Sequence, residues 1–199
     1  MIIGNSLGVI PSAGIGVAEK LVGFIMLIPS SFSQAVSAFV AQNYGAKKYD
    51  RARKVLLYSI SASLCCGVVM FYFIFFHGDL LAGMFSKDRE VVLAAWEYMK
   101  AYGIDCLLTA IMFSMVGYFN GCGKTTFVMI QGIVGAFCVR IPVSYLMSKI
   151  LPVSLFKVGL ATPMSTFVQI ILCVIYFIIL SKKLNKEDMS SNDAVLENR

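Results

Sequence analysis

Asp105 is the residue whose chemistry most needs explaining. It lies inside a stretch of membrane-spanning length, where an ionised group costs several kcal/mol unless it is paired or faces water. Thr109 and Met112 follow at helical spacing, so the three side chains share one face. A carboxylate in a low-dielectric cavity can exchange a proton, bind Na⁺ or hold a cationic substrate. The plainer alternative is a structural carboxylate near the outer interface or paired with Lys100. Arg140 stands in a second apolar stretch, ahead of Ile141-Pro142. A proline frees a carbonyl one turn earlier, and a nearby guanidinium can satisfy it; packing and substrate contact are both open readings.

Glu19 and Lys20 begin another long apolar run and project roughly 100° apart, so they do not form a same-face pair. Lys20 is read either as snorkelling to the interface or as lining a cavity. Gln34, Gln42, Asn43, Asn120, Gln131 and Gln169 are uncharged polar groups suited to bonding between helices or lining a pathway. His77 stands alone at the end of an apolar stretch. The segment GCGKTT resembles a phosphate-binding loop, but that motif needs glycine five positions before Gly123, where Tyr118 stands. No Ser/His/Asp or Cys/His arrangement suggests hydrolysis, so an enzyme is not expected. The six cysteines, Cys65, Cys66, Cys106, Cys122, Cys138 and Cys173, form no CxxC pair and have no neighbouring His. They read as small core residues, with no metal site or cofactor.

The elements that must position these residues follow from hydropathy. Of 199 residues 58% are hydrophobic and only 14% charged, with mean hydropathy +0.79. A soluble domain carries about 25% charged residues, so the deficit marks an integral membrane chain. The net charge of +6 sits in connectors and the tail, which points to membrane orientation before nucleic acid. A helical span takes about 20 residues at roughly 1.5 Å each. The first runs from Gly14–Lys20 through Leu21–Ala46, bent near Pro29; the second covers Val55–Phe76. HGDLLAGMFSKDREVV is the connector on the opposite side. The third span is Val91–Phe119, followed by the turn at 120–126; the fourth is Thr126–Met147 and the fifth Gly159–Ser181. Gly4/Gly8 and Gly117/Gly121 permit close helix packing. The tail from residue 184 lacks a core-forming pattern and is expected to be disordered. The opening MIIGNSLGVIPSAG has no basic n-region and reads as the end of a helix that starts upstream, so a fragment is expected.

The connector VAQNYGAKKYDRARK, residues 40–54, carries Lys47, Lys48, Arg51, Arg53 and Lys54. With alternating loops, these share a side with Lys124, Lys182, Lys183 and Lys186, and outnumber Lys87, Arg89, Lys149 and Lys157 opposite. That bias puts the basic side and the C-terminus in the cytoplasm.

The segment AGIGVAEKLVGFIMLIPSSFSQAVSAFVAQNYGAKKYDRARK resembles the second helix of each lobe of multidrug and toxic compound extrusion (MATE) transporters, ending in their VAQNxGA-basic-RA motif. LLAGMFSKDREVVLAAWEYMKAYG resembles the family's ninth-to-tenth connector, GYFNGCGKTTFVM the turn after its tenth helix, and VRIPVSYL its eleventh. The resemblance implies an all-α membrane fold of twelve helices in two six-helix lobes. Residues 1–183 would be the C-terminal lobe, holding the end of helix seven and helices eight to twelve, with residues 184–199 a cytoplasmic tail. It further implies export of cationic amphipathic drugs, coupled to Na⁺ or H⁺, in a plasma (inner) membrane, with the N-terminal lobe as a missing partner. The family's tenth-helix acid falls near Thr109, one turn from Asp105; its seventh-helix acid lies outside the chain. Asp105, Thr109, Arg140, Lys20 and Gln34 are the candidate cation- and substrate-binding residues. A related lipid or oligosaccharide flippase, or a truncated chain without transport of its own, are the competing readings.

An impermeant amine reagent added to intact cells should leave Lys47 and Lys48 unmodified, yet modify them in opened membranes. Modification in intact cells would invert the topology.

Overall fold

The computed structural model describes the backbone of residues 9–149 and 155–197, and the side chains within those ranges except 148, 149, 158 and 185–197. Among the described residues there is helix and no strand. This is what lipid demands, because a helix satisfies its own backbone donors and acceptors. Among the described residues, five helical stretches are long and apolar enough to cross a membrane: Val9–Gly45, Tyr49–Gly83, Arg89–Gly121, Thr125–Met147 and Leu155–Leu184.

The first stretch is two helices, α1 (Val9–Ile25) and α2 (Leu27–Gly45), separated at Met26. The break falls just ahead of the expected bend because Pro29 lacks an N–H, so the carbonyl one turn earlier, Ile25, loses its helical donor. From Val9 the chain already belongs to α1, while Gly4 and Gly8 lie outside the described residues. Between α2 and α3 (Tyr49–Gly83) only Ala46–Lys48 stand outside helix, and Lys47 takes φ 57° to make the turn. Arg51, Arg53 and Lys54 therefore extend from the first turns of α3 and not from a loop.

Helix α3 also continues well past the expected end of its span. His77 marks a kink, with φ −129° and ψ 23°, and the helix resumes to Gly83. The connector expected from His77 onward thus shrinks to residues 84–88. Asp88 then caps α4 (Arg89–Gly121), its Oδ1 accepting from the Glu90 N–H at 3.0 Å.

Helix α4 is the axis of the molecule. In its most apolar window 61% of residues are buried, against 11–22% in the other four stretches, so the others pack around it. Small residues set the separation. Gly117 lies against the Ser33 backbone, and a Cβ on Gly121 would stand 2.7 Å from the Ser37 carbonyl oxygen. The expected Gly117/Gly121 pair thus brings α4 onto α2. On its other side α4 meets α3 through buried hydroxyls. Ser114 Oγ lies 3.1 Å from both Ser59 Oγ and Ser63 Oγ, and Ser63 also donates to the Ala110 carbonyl.

The turn Cys122–Lys124, with Gly123 at φ +71°, leads into α5 (Thr125–Ile133). The chain then widens into a π-helical segment, Val134–Arg140, before α6 (Ile141–Lys149). The Ile141 N–H bonds to the Ala136 carbonyl, five residues back. Pro142 offers no donor and crowds the preceding turn, which accounts for the widening. A short helix α7 (Leu155–Gly159) precedes α8 (Ala161–Glu197). Helix α8 runs past the last apolar residues of its span to Glu197. Residues 184–197 contain neither glycine nor proline to stop it.

The core falls into two clusters stacked along the bundle. One gathers Ile15, Ile74, Met99 and Tyr102; the other Val40, Leu56, Phe119, Cys173 and Leu184. At the second end Arg53 Nη2 donates to the Ser181 carbonyl at 3.2 Å, joining the basic connector to the end of the last span. The outer faces expose large apolar side chains such as Phe24, Leu57, Tyr58, Phe137 and Ile179. Such faces suit a chain solvated by lipid.

Gly121→Leu should drive α4 off α2 and destabilise the fold by about 1–3 kcal/mol. Gly83→Leu, at a position with open space around its would-be Cβ, should be close to neutral. Melting of both variants in detergent against the unaltered chain checks this; equal melting temperatures for all three would refute the close-packing account.

Candidate functional site

A cavity of about 390 Å³ opens between α1, α4, the π-helical segment and α8. That size lies within the range of small-molecule sites. Its floor is the face of α4 expected from sequence: Asp105, Thr109 and Met112, joined by Tyr102 and Phe113. Helical spacing aligns these positions on one face of α4.

Asp105 is only 2% exposed. Thr109 Oγ1 donates to its Oδ2 at 3.1 Å, while Oδ1 has no hydrogen-bond donor among the described residues. Thr166 stands nearby, with its hydroxyl turned to the Thr162 carbonyl at 3.1 Å. Lys100 is not a partner, because its Nζ sits 4.2 Å over the Trp96 ring. The structural pairing considered from sequence is therefore not made. A buried carboxylate oxygen without a donor is costly to desolvate, so the position suits a proton or a cation.

Arg140 also lines the cavity, but it does not satisfy a carbonyl freed by Pro142. Its Nη2 donates to the Tyr102 hydroxyl at 3.1 Å. The π-helical turn brings Arg140 to this wall, and no ion pair within 4.0 Å joins it to Asp105 or Glu19. The same tyrosine oxygen receives Thr162 Oγ1 at 3.3 Å and lies 3.3 Å from the Tyr98 hydroxyl.

Two candidates fall elsewhere. Lys20 is exposed and does not line the cavity; its neighbour Glu19 does. With the residues roughly 100° apart, only one of them can face inward. Gln34 is exposed on α2, with Nε2 3.4 Å from Ser30 Oγ one turn back, and lies outside the cavity. Sequence reasoning missed Tyr102, which reads as an ordinary core aromatic, and the hydroxyl wall of α8, Thr162, Ser165 and Thr166. Gln169, a polar group suited to bonding between helices or to lining a pathway, lines the cavity too. Ser165 Oγ donates to the Gly135 carbonyl at 2.7 Å, and Gln169 Nε2 to Ser165 Oγ at 3.2 Å, so this wall also docks the π-helical segment. Among the described residues no cluster of three or more His, Cys, Asp or Glu residues could hold a metal ion.

Comparison with known proteins follows the same lines. The chain is 22% identical over 187 residues to the "Probable multidrug resistance protein YoeA" of Bacillus subtilis, covering 90% of this chain and 39% of that one. It is 23% identical over 137 residues to "Multidrug and toxin extrusion protein 1" of Mus musculus, covering 69% of this chain and 24% of that protein. A crystal structure of MATE in the bent conformation superposes with a TM-score of 0.81 at 20% identity, over 88% of this chain and 39% of that one. The chain thus spans less than half the length of these relatives. The sequence profile described as MatE matches residues 1–146, and the chain, with its five membrane-length helices, belongs to the MatE family.

Proposed function

We propose that this chain supplies the cation-handling cavity of one lobe of a multidrug exporter. In this reading, residues 1–183 form the C-terminal lobe, and a second six-helix lobe completes the translocation pathway. The substrate is a cationic amphipathic compound, and Na⁺ or H⁺ entering down its gradient drives its expulsion. The protein resides in a plasma membrane, with the basic connector and the C-terminus on the cytoplasmic side. The observation that carries the reading is Asp105: a carboxylate 2% exposed, with one oxygen lacking a donor, on the floor of a cavity of about 390 Å³.

The residues divide the work. Asp105 receives the coupling cation or proton, and Thr109 fixes the carboxylate by its hydrogen bond to Oδ2. Glu19, on the facing helix, adds negative charge that draws a cation into the cavity. Met112 and Phe113 offer an apolar, adaptable surface to the organic part of the substrate. Loading of Asp105 favours one arrangement of the two lobes, and substrate the other, so the two ligands alternate. The names of the relatives, multidrug resistance and multidrug and toxin extrusion proteins, accord with this reading.

The test needs the transporter with both lobes. Asp105→Asn keeps the shape and removes the charge, so efflux of a cationic dye such as ethidium should fall by about tenfold or more, at unchanged membrane abundance. Efflux at the level of the unaltered protein would assign Asp105 a structural role.

A further inference from the structure

One end of the bundle concentrates positive charge. Lys47 and Lys48 are exposed in the turn between α2 and α3, and Arg51 and Lys54 are exposed on the first two turns of α3. The last span ends beside them, with Lys182 and Lys183 exposed on α8. Asp50, the one acid between residues 40 and 54, lies 3.5 Å from Arg53 Nη1 and is already engaged. Among the described residues none of the six exposed cations has an ion pair within 4.0 Å.

The two basic groups are tied together. Arg53 Nη2 donates to the Ser181 carbonyl at 3.2 Å, and Lys54 and Lys182 are the next residues along each helix. Like charges held side by side repel one another unless an anion lies across them. Just inside the basic groups the same two helices expose apolar side chains. Leu57 and Tyr58 stand three and four residues after Lys54, and Ile179 and Ile178 three and four residues before Lys182. That is about one helical turn, roughly 5 Å. A free anion would use the cations and leave this flank idle. An amphiphile with an anionic head uses both.

We infer that this end of the bundle binds a phospholipid whose headgroup carries two phosphates. Arg51 and Lys54 of α3 hold one phosphate, and Lys182 and Lys183 of α8 hold the other. The acyl chains run along the exposed flank below. A headgroup with a single phosphate satisfies one basic group at a time, so the second phosphate is what the pairing of α3 with α8 selects. None of these residues lines the cavity around Asp105, so the site is independent of what that cavity carries.

Native mass spectrometry of the 199-residue chain in detergent, titrated with lipids of matched oleoyl chains, tests this. Cardiolipin is the probe with two phosphates, phosphatidylglycerol the probe with one. The unaltered chain should bind cardiolipin about tenfold more tightly than phosphatidylglycerol. Replacing Arg51 and Lys54 together by Gln, or Lys182 and Lys183 together, should bring cardiolipin down to the level of phosphatidylglycerol. Replacing Lys87 and Arg89, exposed at the opposite end, by Gln should leave both affinities within about twofold. Equal affinity of the unaltered chain for the two lipids would overturn the two-phosphate site without any variant having to fold. An equal loss from the Lys87 and Arg89 pair would reduce the effect to unspecific attraction and overturn it too. Displacement of cardiolipin by millimolar pyrophosphate would assign the cations to free anions and overturn the lipid as occupant.

Discussion

A carboxylate inside a membrane-spanning helix must be given water, a proton or a cation, and the arrangement around Asp105 answers to that constraint. Its neighbours on α4 cannot neutralise it: Thr109 offers one hydroxyl, and Lys100 is engaged with Trp96. The surrounding helices supply the rest. Helix α1 contributes Glu19, the π-helical segment Arg140, and α8 a row of hydroxyls, so that polarity is concentrated on one side of α4. On its other sides α4 is packed against α2 by glycine and against α3 by serine.

This division explains why α4 is the most buried helix. Without a hydrophobic drive between helices in lipid, close approach depends on small residues and hydrogen bonds. Gly117 and Gly121 provide the first, and Ser59, Ser63 and Ser114 the second. Close packing on those faces fixes α4 rigidly enough for the polar face to hold its geometry. Precision at the site is therefore a property of the packing on the faces of α4 turned away from it.

The spans and the Asp105, Thr109 and Met112 face were legible in the sequence, because a helix of known pitch turns spacing into position. The same rule made the Gly117/Gly121 contact legible. What a single helix cannot encode is which residues meet it from elsewhere. Thr162 and Thr166 are small hydroxyl residues roughly 60 positions from Asp105, unremarked until the chain folds. Tyr102 becomes a hub only because Arg140 and Thr162 arrive from two other helices. That Glu19 lines the cavity while Lys20 is exposed was not legible for a related reason: the direction in which α1 presents its flank depends on the break at Met26 and on packing.

The widened turn at Val134–Arg140 has one further consequence. A π-helix holds nearly one more residue per turn than an α-helix, so passage through this segment shifts everything beyond it by roughly 100°, the angular share of one residue. The flank that α5 turns to its neighbours is thus out of phase with the flank of α6. A helical wheel drawn straight through the fourth span would mix two unrelated faces. Each half must be plotted separately, with Pro142 as the punctuation mark between two phases of one rod.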